Sequence, residues 1–377
     1  MKAKTVVFSN NSLYFLLQFR LGIIKDFSEK GWNIVIIIPA STVEEELLKA
    51  LDPRWKVYQI NVNPNDINPL GDAKYFLELL KIFRREKPDI VFQYTIKPNI
   101  YGTLACKMLG IKCISMVAGL GYIFEGKSLK KKIGRLLYKI GLRLSDRVFV
   151  LNVSNEQTLL KGKYVTPEKL ILLKGGEGVN LKKYPYKPME FKDIRFLMVA
   201  RILFDKGYNE YVEAAKILRS KYPEVECELL GPLATDSPMG VPEERVRKDN
   251  AAGYIKYCGT TQDVPSYVLR DGVVIVLPSK YLEGLNRSLM EACAMGRPII
   301  TTDNPGCVEA VDNGKNGILV PVGDSRSLAQ AMMDMIEKPR EEKIKMSKAS
   351  RELALNLFNE DIVIESYWHA LQDIGVS

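Results

Sequence analysis

The sequence predicts an α/β protein of two doubly wound, Rossmann-like domains, and three observations carry that prediction. Apolar, β-rich runs alternate with segments of helical period along the whole chain. A stretch rich in Gly and Pro, 174–188, divides those runs into two sets. The length, 377 residues of which 46% are hydrophobic, suffices for two separate cores.

The first set of runs, 5–8, 34–38, 57–60, 90–92, 114–117 and 148–151, is predominantly apolar, as strands of a parallel sheet covered on both faces are. After Pro185 and Pro188 a second set follows at 196–200, 226–230, 255–258, 273–277, 299–302 and 317–320. A linker is expected near 178–192, with domains over 1–185 and 186–357. Beyond Val320 the pattern is helical to the end; the amphipathic segment 361–374 is free to pack on either domain, and 358–377 is assigned as a helix returning to the first. Open α/β sheets bind ligands outside the carboxyl ends of their strands, so two such sheets imply a central cleft between domains.

Composition narrows the chemistry. The one histidine, His369, excludes His-based metal clusters and argues against Ser-His-Asp or Cys-His catalysis. Six scattered cysteines without a C-x-x-C pair argue against disulfides and zinc and fit a reducing cytosol. The basic N-terminus precedes an apolar run too short for a signal segment, and the longest apolar run, 34–38, falls short of the roughly 20 residues of a spanning helix. Membrane contact is therefore expected to be peripheral. Carboxylates, cations and backbone dipoles are left to do the chemistry.

Two stretches gather those groups. At 277–299 a strand ends at Pro278, a turn carries Glu283 and Gly284, and a helix begins near Asn286 or Arg287, where free N–H groups make an anion site. Glu291 lies about two helical turns beyond Glu283, so the two carboxylates reach different parts of one extended ligand, one suited to sugar hydroxyls and the other to ribose. The plain alternative is a pair of solvated helix carboxylates. At 199–207 a strand end sets Arg201 and Lys206 five residues apart before another helix, an arrangement able to hold a diphosphate and stabilise its charge as it leaves.

This combination resembles the retaining family-four glycosyltransferases, whose hallmark is an E-x7-E motif with an upstream Arg and Lys in a two-Rossmann-domain, GT-B type architecture. The resemblance covers essentially the whole chain, including 119–124, 230–232, 259–264 and 302–309. It is strongest to bacterial enzymes that extend undecaprenyl-diphosphate-linked saccharides for capsule, O-antigen or glycoprotein glycans. It implies that Arg201 and Lys206 bind the donor diphosphate, that Glu283 contacts the transferred sugar or its phosphate, and that Glu291 holds the ribose. Gly284 and Leu285 would offer backbone N–H groups to the phosphates, with Gly231, Asp263 and Asn286 completing the donor side. For Asp263 a turn with a helix cap is the plain alternative. Asn286 stands where the motif commonly carries proline, which predicts a local change in the loop.

On the acceptor side many relatives carry a histidine where this chain reads Thr95-Ile96-Lys97-Pro98-Asn99. Lys97 and Asn99 are the positioning candidates, a strand-end cap being the alternative. The departing β-phosphate oxygen can take the acceptor proton in a retaining, front-face reaction. Gly119 and Gly121 do not complete G-x-G-x-x-G and are assigned to close backbone approach to a substrate. Arg20, on the helix after Asn10-Asn11-Ser12, is assigned to an acceptor phosphate.

Between 126 and 147 eight basic residues face one acid, which is most of the chain's net +9. Leu129, Ile133, Leu136, Leu137, Ile140 and Leu144 fall within an arc of about 100° on a helix there. The stripe either enters the core of the first domain or rests on anionic lipid, with Lys130, Lys131, Lys132, Arg135 and Lys139 as the membrane contacts. The expected partners are thus a UDP-sugar, a polyprenyl-diphosphate-linked saccharide and the inner face of an anionic membrane, without metal, added cofactor or nucleic acid. Rival readings are a nucleotide-sugar epimerase of similar fold and a non-catalytic basic membrane- or RNA-binding protein.

Overall fold

The computed structural model describes residues 3–62, 68–120, 124, 128–281 and 284–376. It divides into two compact units, 1–177 with 360–377, and 178–359. The division falls ahead of the 185/186 boundary read from the sequence.

In the first unit seven parallel strands are β1 (Thr5–Ser9), β2 (Asn33–Pro39), β3 (Lys56–Ile60), β4 (Ile90–Tyr94), β5 (Lys112–Val117), β6 (Arg147–Val150) and β7 (Leu170–Leu172). Their spatial order is β3-β2-β1-β4-β5-β6-β7, so the winding reverses between β1 and β4. Every residue of β1 and β4 is buried, and apart from Thr5, Ser9 and Gln93 all are apolar, which is why both stand out in the sequence. Side chains of one parity (Val6, Phe8, Phe92, Met116) pack under the helix Leu13–Glu29, and those of the other (Val7, Val35, Val91, Cys113) under the helix Pro69–Glu86. Strand β7 was not expected from the sequence; it has three half-buried residues at the sheet edge, too short for a periodic signal.

The last helix, Glu360–Asp373, belongs to this unit. Its Val363, Tyr367, Ala370 and Leu371 enter the core, Trp368 stacks on Phe27 at 4.4 Å, and the Trp368 indole donates to Asp26 at 2.6 Å.

The second unit holds six parallel strands: β8 (Arg195–Val199), β9 (Glu226–Leu230), β10 (Lys256–Tyr257), β11 (Val273–Leu277), β12 (Ile299–Thr302) and β13 (Gly317–Val320). They run β10-β9-β8-β11-β12-β13, reversing between β8 and β11. The segment 178–192, expected as a linker, is instead part of this unit. Val179, Tyr184, Met189 and Phe191 are buried in its core, and Asp271 accepts from the backbone N–H groups of Glu190, Phe191 and Lys192.

The basic segment forms the helix Leu129–Leu144, capped by Ser128. None of its apolar stripe is fully buried, which overturns the reading that placed it in the core: Leu129, Ile133, Leu136 and Ile140 are exposed and Leu137 and Leu144 half-buried, while the neighbouring Tyr138, Gly141 and Leu142 face inward. Lys139 is turned back on the protein, donating to the Gly162 carbonyl at 2.8 Å.

Candidate active site

In an open parallel sheet the switch point leaves a crevice at the carboxyl ends of two neighbouring strands. In the second unit those strands are β8 and β11, and the loops that follow them carry Arg201 and Lys206 on one side and 278–286 on the other. The two loops are docked. The Lys280 N–H donates to the Asp205 carbonyl at 2.7 Å, and Gly207, at φ +88°, lies so close to Pro278 that an added Cβ would sit 2.1 Å from its carbonyl oxygen. Only glycine meets both conditions.

Within this crevice Arg201 is exposed and pairs with no described residue. Lys206 is half-buried, its ammonium 5.4 Å from the centre of the Tyr281 ring. Residues 279–281 are strapped from the end of β12 and the turn after it: Thr302 Oγ1 donates to the Ser279 carbonyl at 2.6 Å and Asn304 Nδ2 to the Tyr281 carbonyl at 2.7 Å. Gly284 and Leu285 are buried, the Leu285 side chain in the core. Glu283 lies outside the described residues.

Asn286 explains its own departure from proline. Its Oδ1 accepts from the Leu289 N–H at 3.2 Å and from Ser288 Oγ at 2.8 Å, capping the helix Arg287–Ala294, while its own N–H donates to the Gly306 carbonyl at 2.8 Å. Proline would supply neither the cap oxygen nor that N–H.

One turn into this helix Glu291 is buried, and Arg287 Nε donates to its Oε1 at 2.8 Å. Arg287 Nη1 also donates to the Gly178 carbonyl at 2.6 Å, and its guanidinium lies 5.9 Å from the ring centre of Tyr184. The Tyr184 hydroxyl is made less acidic by burial and by the adjoining Glu291 carboxylate. Arg287 and Tyr184 went unassigned in the sequence. The i,i+4 spacing to Glu291 would have found the first, whereas Tyr184 arrives from a segment with no local signal.

Other expected donor residues hold backbone. Gly231, at φ +149°, lets the loop after β9 approach Ala200, whose carbonyl oxygen a Cβ would meet at 1.9 Å; its N–H donates to Gly259 and its carbonyl accepts from the Tyr257 hydroxyl. Asp263 caps the helix Val264–Val268 through the Ser266 N–H at 3.2 Å, the plainer of its two readings.

In the first unit the corresponding switch point lies between β1 and β4. Lys97 follows β4 and donates to Asp72 at 2.7 Å, an ion pair to which the Tyr101 hydroxyl adds a bond at 3.0 Å. Asn99 does not fit an acceptor contact: it is fully buried, its amide donating to the Met116 carbonyl at 2.8 Å and to the Tyr138 hydroxyl at 3.2 Å. Arg20 is also buried, ion-paired with Glu177 and 4.2 Å from the Tyr94 ring centre, so a phosphate contact would require that pair to open. Gly119 lies just past β5, half-buried, and Gly121 lies outside the described residues. Thr95 was named only as part of the motif. Its φ of +70° is unusual for a β-branched residue and sits at the end of the central strand. Among the described residues no group of three potential metal ligands gathers, and no helix is long and apolar enough to cross a membrane.

These halves match known proteins separately. Residues 5–152 match the family described as Glycosyl transferase 4-like, and residues 187–353 the family described as Glycosyl transferases group 1. Over 370 residues the chain is 27% identical to the N,N'-diacetylbacillosaminyl-diphospho-undecaprenol alpha-1,3-N-acetylgalactosaminyltransferase of Campylobacter jejuni, covering 93% of this chain and 94% of that protein. It is 26% identical to the UDP-Gal:alpha-D-GlcNAc-diphosphoundecaprenol alpha-1,3-galactosyltransferase of Escherichia coli, covering 82% and 81%. The solved structure of Anabaena HepE in complex with UDP shares the fold at a TM-score of 0.79 and 15% identity, over 98% of this chain and 100% of that one. Each match lies on its own parallel sheet: the N-terminal domain is of the glycosyl transferase 4-like family and the C-terminal domain of the glycosyl transferases group 1 family, on a fold of the GT-B type.

Proposed function

We propose that the protein is a retaining glycosyltransferase that moves a hexose or N-acetylhexosamine, Gal or GalNAc being favoured, from a UDP-sugar to a polyprenyl-diphosphate-linked saccharide in bacterial surface-glycan assembly. The observation that carries this reading is the pair of docked loops at the switch point of the second sheet. They bring Lys206 beside the loop that leads, through the Asn286 cap, to Glu291. The two relatives named above act on diphospho-undecaprenol-linked sugars, and HepE was solved with UDP, which supports both the donor and the acceptor class.

In this mechanism Arg201 and Lys206 hold the two phosphates. Glu291, kept in place by Arg287, accepts hydrogen bonds from the ribose, and Glu283 contacts the transferred sugar. The bond between the sugar C1 and the β-phosphate oxygen breaks as C1 bonds to the acceptor hydroxyl oxygen on the same face. The hydroxyl proton passes to the departing β-phosphate oxygen, and UDP leaves. Two cations neutralise the charge that builds on the diphosphate, the work a divalent metal does elsewhere, so no metal is required. On the acceptor side Lys97, oriented by Asp72, is the remaining positioning candidate, and Gly119 lies at the neighbouring strand end. The helix Leu129–Leu144 gives a lipid-linked acceptor a basic surface at the inner face of the membrane. The test is the product: NMR of the new linkage made from UDP-GalNAc or UDP-Gal gives an α-anomer if the reaction retains configuration, and a β-anomer contradicts the mechanism.

A further inference from the structure

Three helices, Pro69–Glu86, Thr103–Leu109 and Leu129–Leu144, lie side by side on one face of the first sheet. The residues beneath them fix that placement: Val7, Val35, Val91 and Cys113 share one parity of the strands, and Val117, Val148 and Val150 continue it.

Facing away from the core, the first helix exposes Leu70, Lys74, Leu77, Lys81 and Arg84, at spacings of four, three, four and three residues along a single stripe. The third helix exposes Leu129, Ile133, Leu136 and Ile140 at spacings of four, three and four. Between them the middle helix adds Lys107 and Met108. The exposed apolar side chains of the three helices have relative exposures between 40% and 84%, far from the ordinary scatter of single surface leucines.

Charge decides what such a face can meet. The three helices together contain only three acids. Asp72 is buried against Lys97, Glu86 is held by Lys56 and Tyr58, and Glu78 is half-buried. The outward surface is therefore leucine, isoleucine and methionine set among lysine and arginine. A protein partner offers pockets for particular side chains. A bilayer with anionic headgroups offers a continuous negative plane above hydrocarbon, which suits scattered apolar residues ringed by cations.

We propose that these three helices form one lipid-contacting face that rests on an anionic bilayer, with Leu70, Leu77 and Met108 entering the interfacial zone beside the Leu129–Leu144 helix. This rests on the reading of a lipid-linked acceptor and extends its membrane contact from one helix to three. Asp72 joins the face to the site. It stands in the first turn of the Pro69–Glu86 helix and holds Lys97 at the end of β4, so the lipid surface begins two residues from the pair that orients the acceptor loop.

The experiment is vesicle co-sedimentation of the whole protein, without donor or acceptor, on phosphatidylcholine alone and on phosphatidylcholine mixed with phosphatidylglycerol. The wild type is expected to bind only the anionic vesicles. Lys74→Gln with Lys81→Gln is expected to weaken that binding roughly 30-fold, since each cation near an anionic leaflet contributes about a factor of five. Leu70→Ser with Leu77→Ser is expected to weaken it about tenfold or more. Ile133→Ser with Leu136→Ser serves as the comparison on the helix already read as membrane-facing. If both pairs on Pro69–Glu86 bind like wild type while the Ile133/Leu136 pair does not, the face is a single helix and the inference is overturned. Equal binding to neutral vesicles overturns it as well. Because no substrate is present, a failure of the transferase reading would show separately, as absence of transfer to a water-soluble short-chain acceptor by the wild type.

Discussion

The docking of the two donor loops gives a sharp stability prediction through Gly207. Gly207 and Gly323 both belong to the second unit and both have positive φ, +88° and +78°. A Cβ on Gly323 meets nothing within 4 Å, whereas one on Gly207 would lie 2.1 Å from the Pro278 carbonyl oxygen and 2.6 Å from its carbon. Gly323→Ala should therefore cost only the left-handed backbone penalty, about 1–2 kcal/mol. Gly207→Ala pays that penalty and must also part the loops, an overpacking cost of about 1–3 kcal/mol more. At about 2–4 °C per kcal/mol for a unit of this size, the second substitution should melt several degrees below the first. The assay is calorimetry, because all three tryptophans, Trp32, Trp55 and Trp368, lie in the first unit and fluorescence would not follow the second. Moving Lys206 should also weaken UDP binding by about 10- to 100-fold, the range of a lost charge-assisted bond of about 1.5–3 kcal/mol. Gly207→Ala as mild as Gly323→Ala, with UDP binding intact, would refute the docked arrangement.

Further predictions concern neighbouring contacts. Asn286→Ala removes the cap of the Arg287–Ala294 helix and should cost about 1 kcal/mol by calorimetry, with Asn286→Ser retaining most of it. Glu291→Gln leaves Arg287 without its carboxylate and should lower kcat/KM for the donor about tenfold or more, mainly through KM; an unchanged KM would remove Glu291 from donor binding. Burial alone would raise the Asp271 pKa, but the N–H groups of Lys192, Glu190 and Phe191 hold it below the usual carboxylate value. Its contribution to stability should then be present above about pH 4 and fade as acid protonates it, and Asp271→Asn should flatten that acid limb in pH-dependent unfolding. Transfer should proceed undiminished in EDTA, and a rate restored only by added divalent ions would contradict the role given to Arg201 and Lys206.

What could be read in advance followed burial. Strands such as β1, β4 and β11 are covered on both faces, so most of their residues had to be apolar, only Thr5, Ser9 and Gln93 being polar, and their positions stood out. Strand β7 is half-exposed and three residues long, and carries no such constraint. The motif residues were recognisable because their types suit charged ligands, but side-chain direction is set by tertiary packing. Asn99 follows a strand end as an acceptor residue would, yet it sits in the π-helical turn Pro98–Gly102, against whose backbone Gly141 packs closely, and is held in the core. Arg20 had the charge for a phosphate, but Glu177, far along the chain, claims it. The amphipathic pattern at 129–144 identified a helix and could not say which of its two apolar rows faces inward, because Tyr138 and Leu142 lie next to the stripe that stays exposed.

The measurement that tests the account most directly is a donor screen with purified protein: a panel of UDP- and GDP-sugars, a mixed polyprenyl-diphosphate-saccharide acceptor, and the Lys206→Ala and Glu291→Ala variants beside the wild type. Transfer from one UDP-sugar is expected of the wild type, with that activity lost in both variants while their melting stays cooperative. Transfer that survives in either variant, epimerisation of the donor without transfer, or failure of every nucleotide sugar to bind would contradict it.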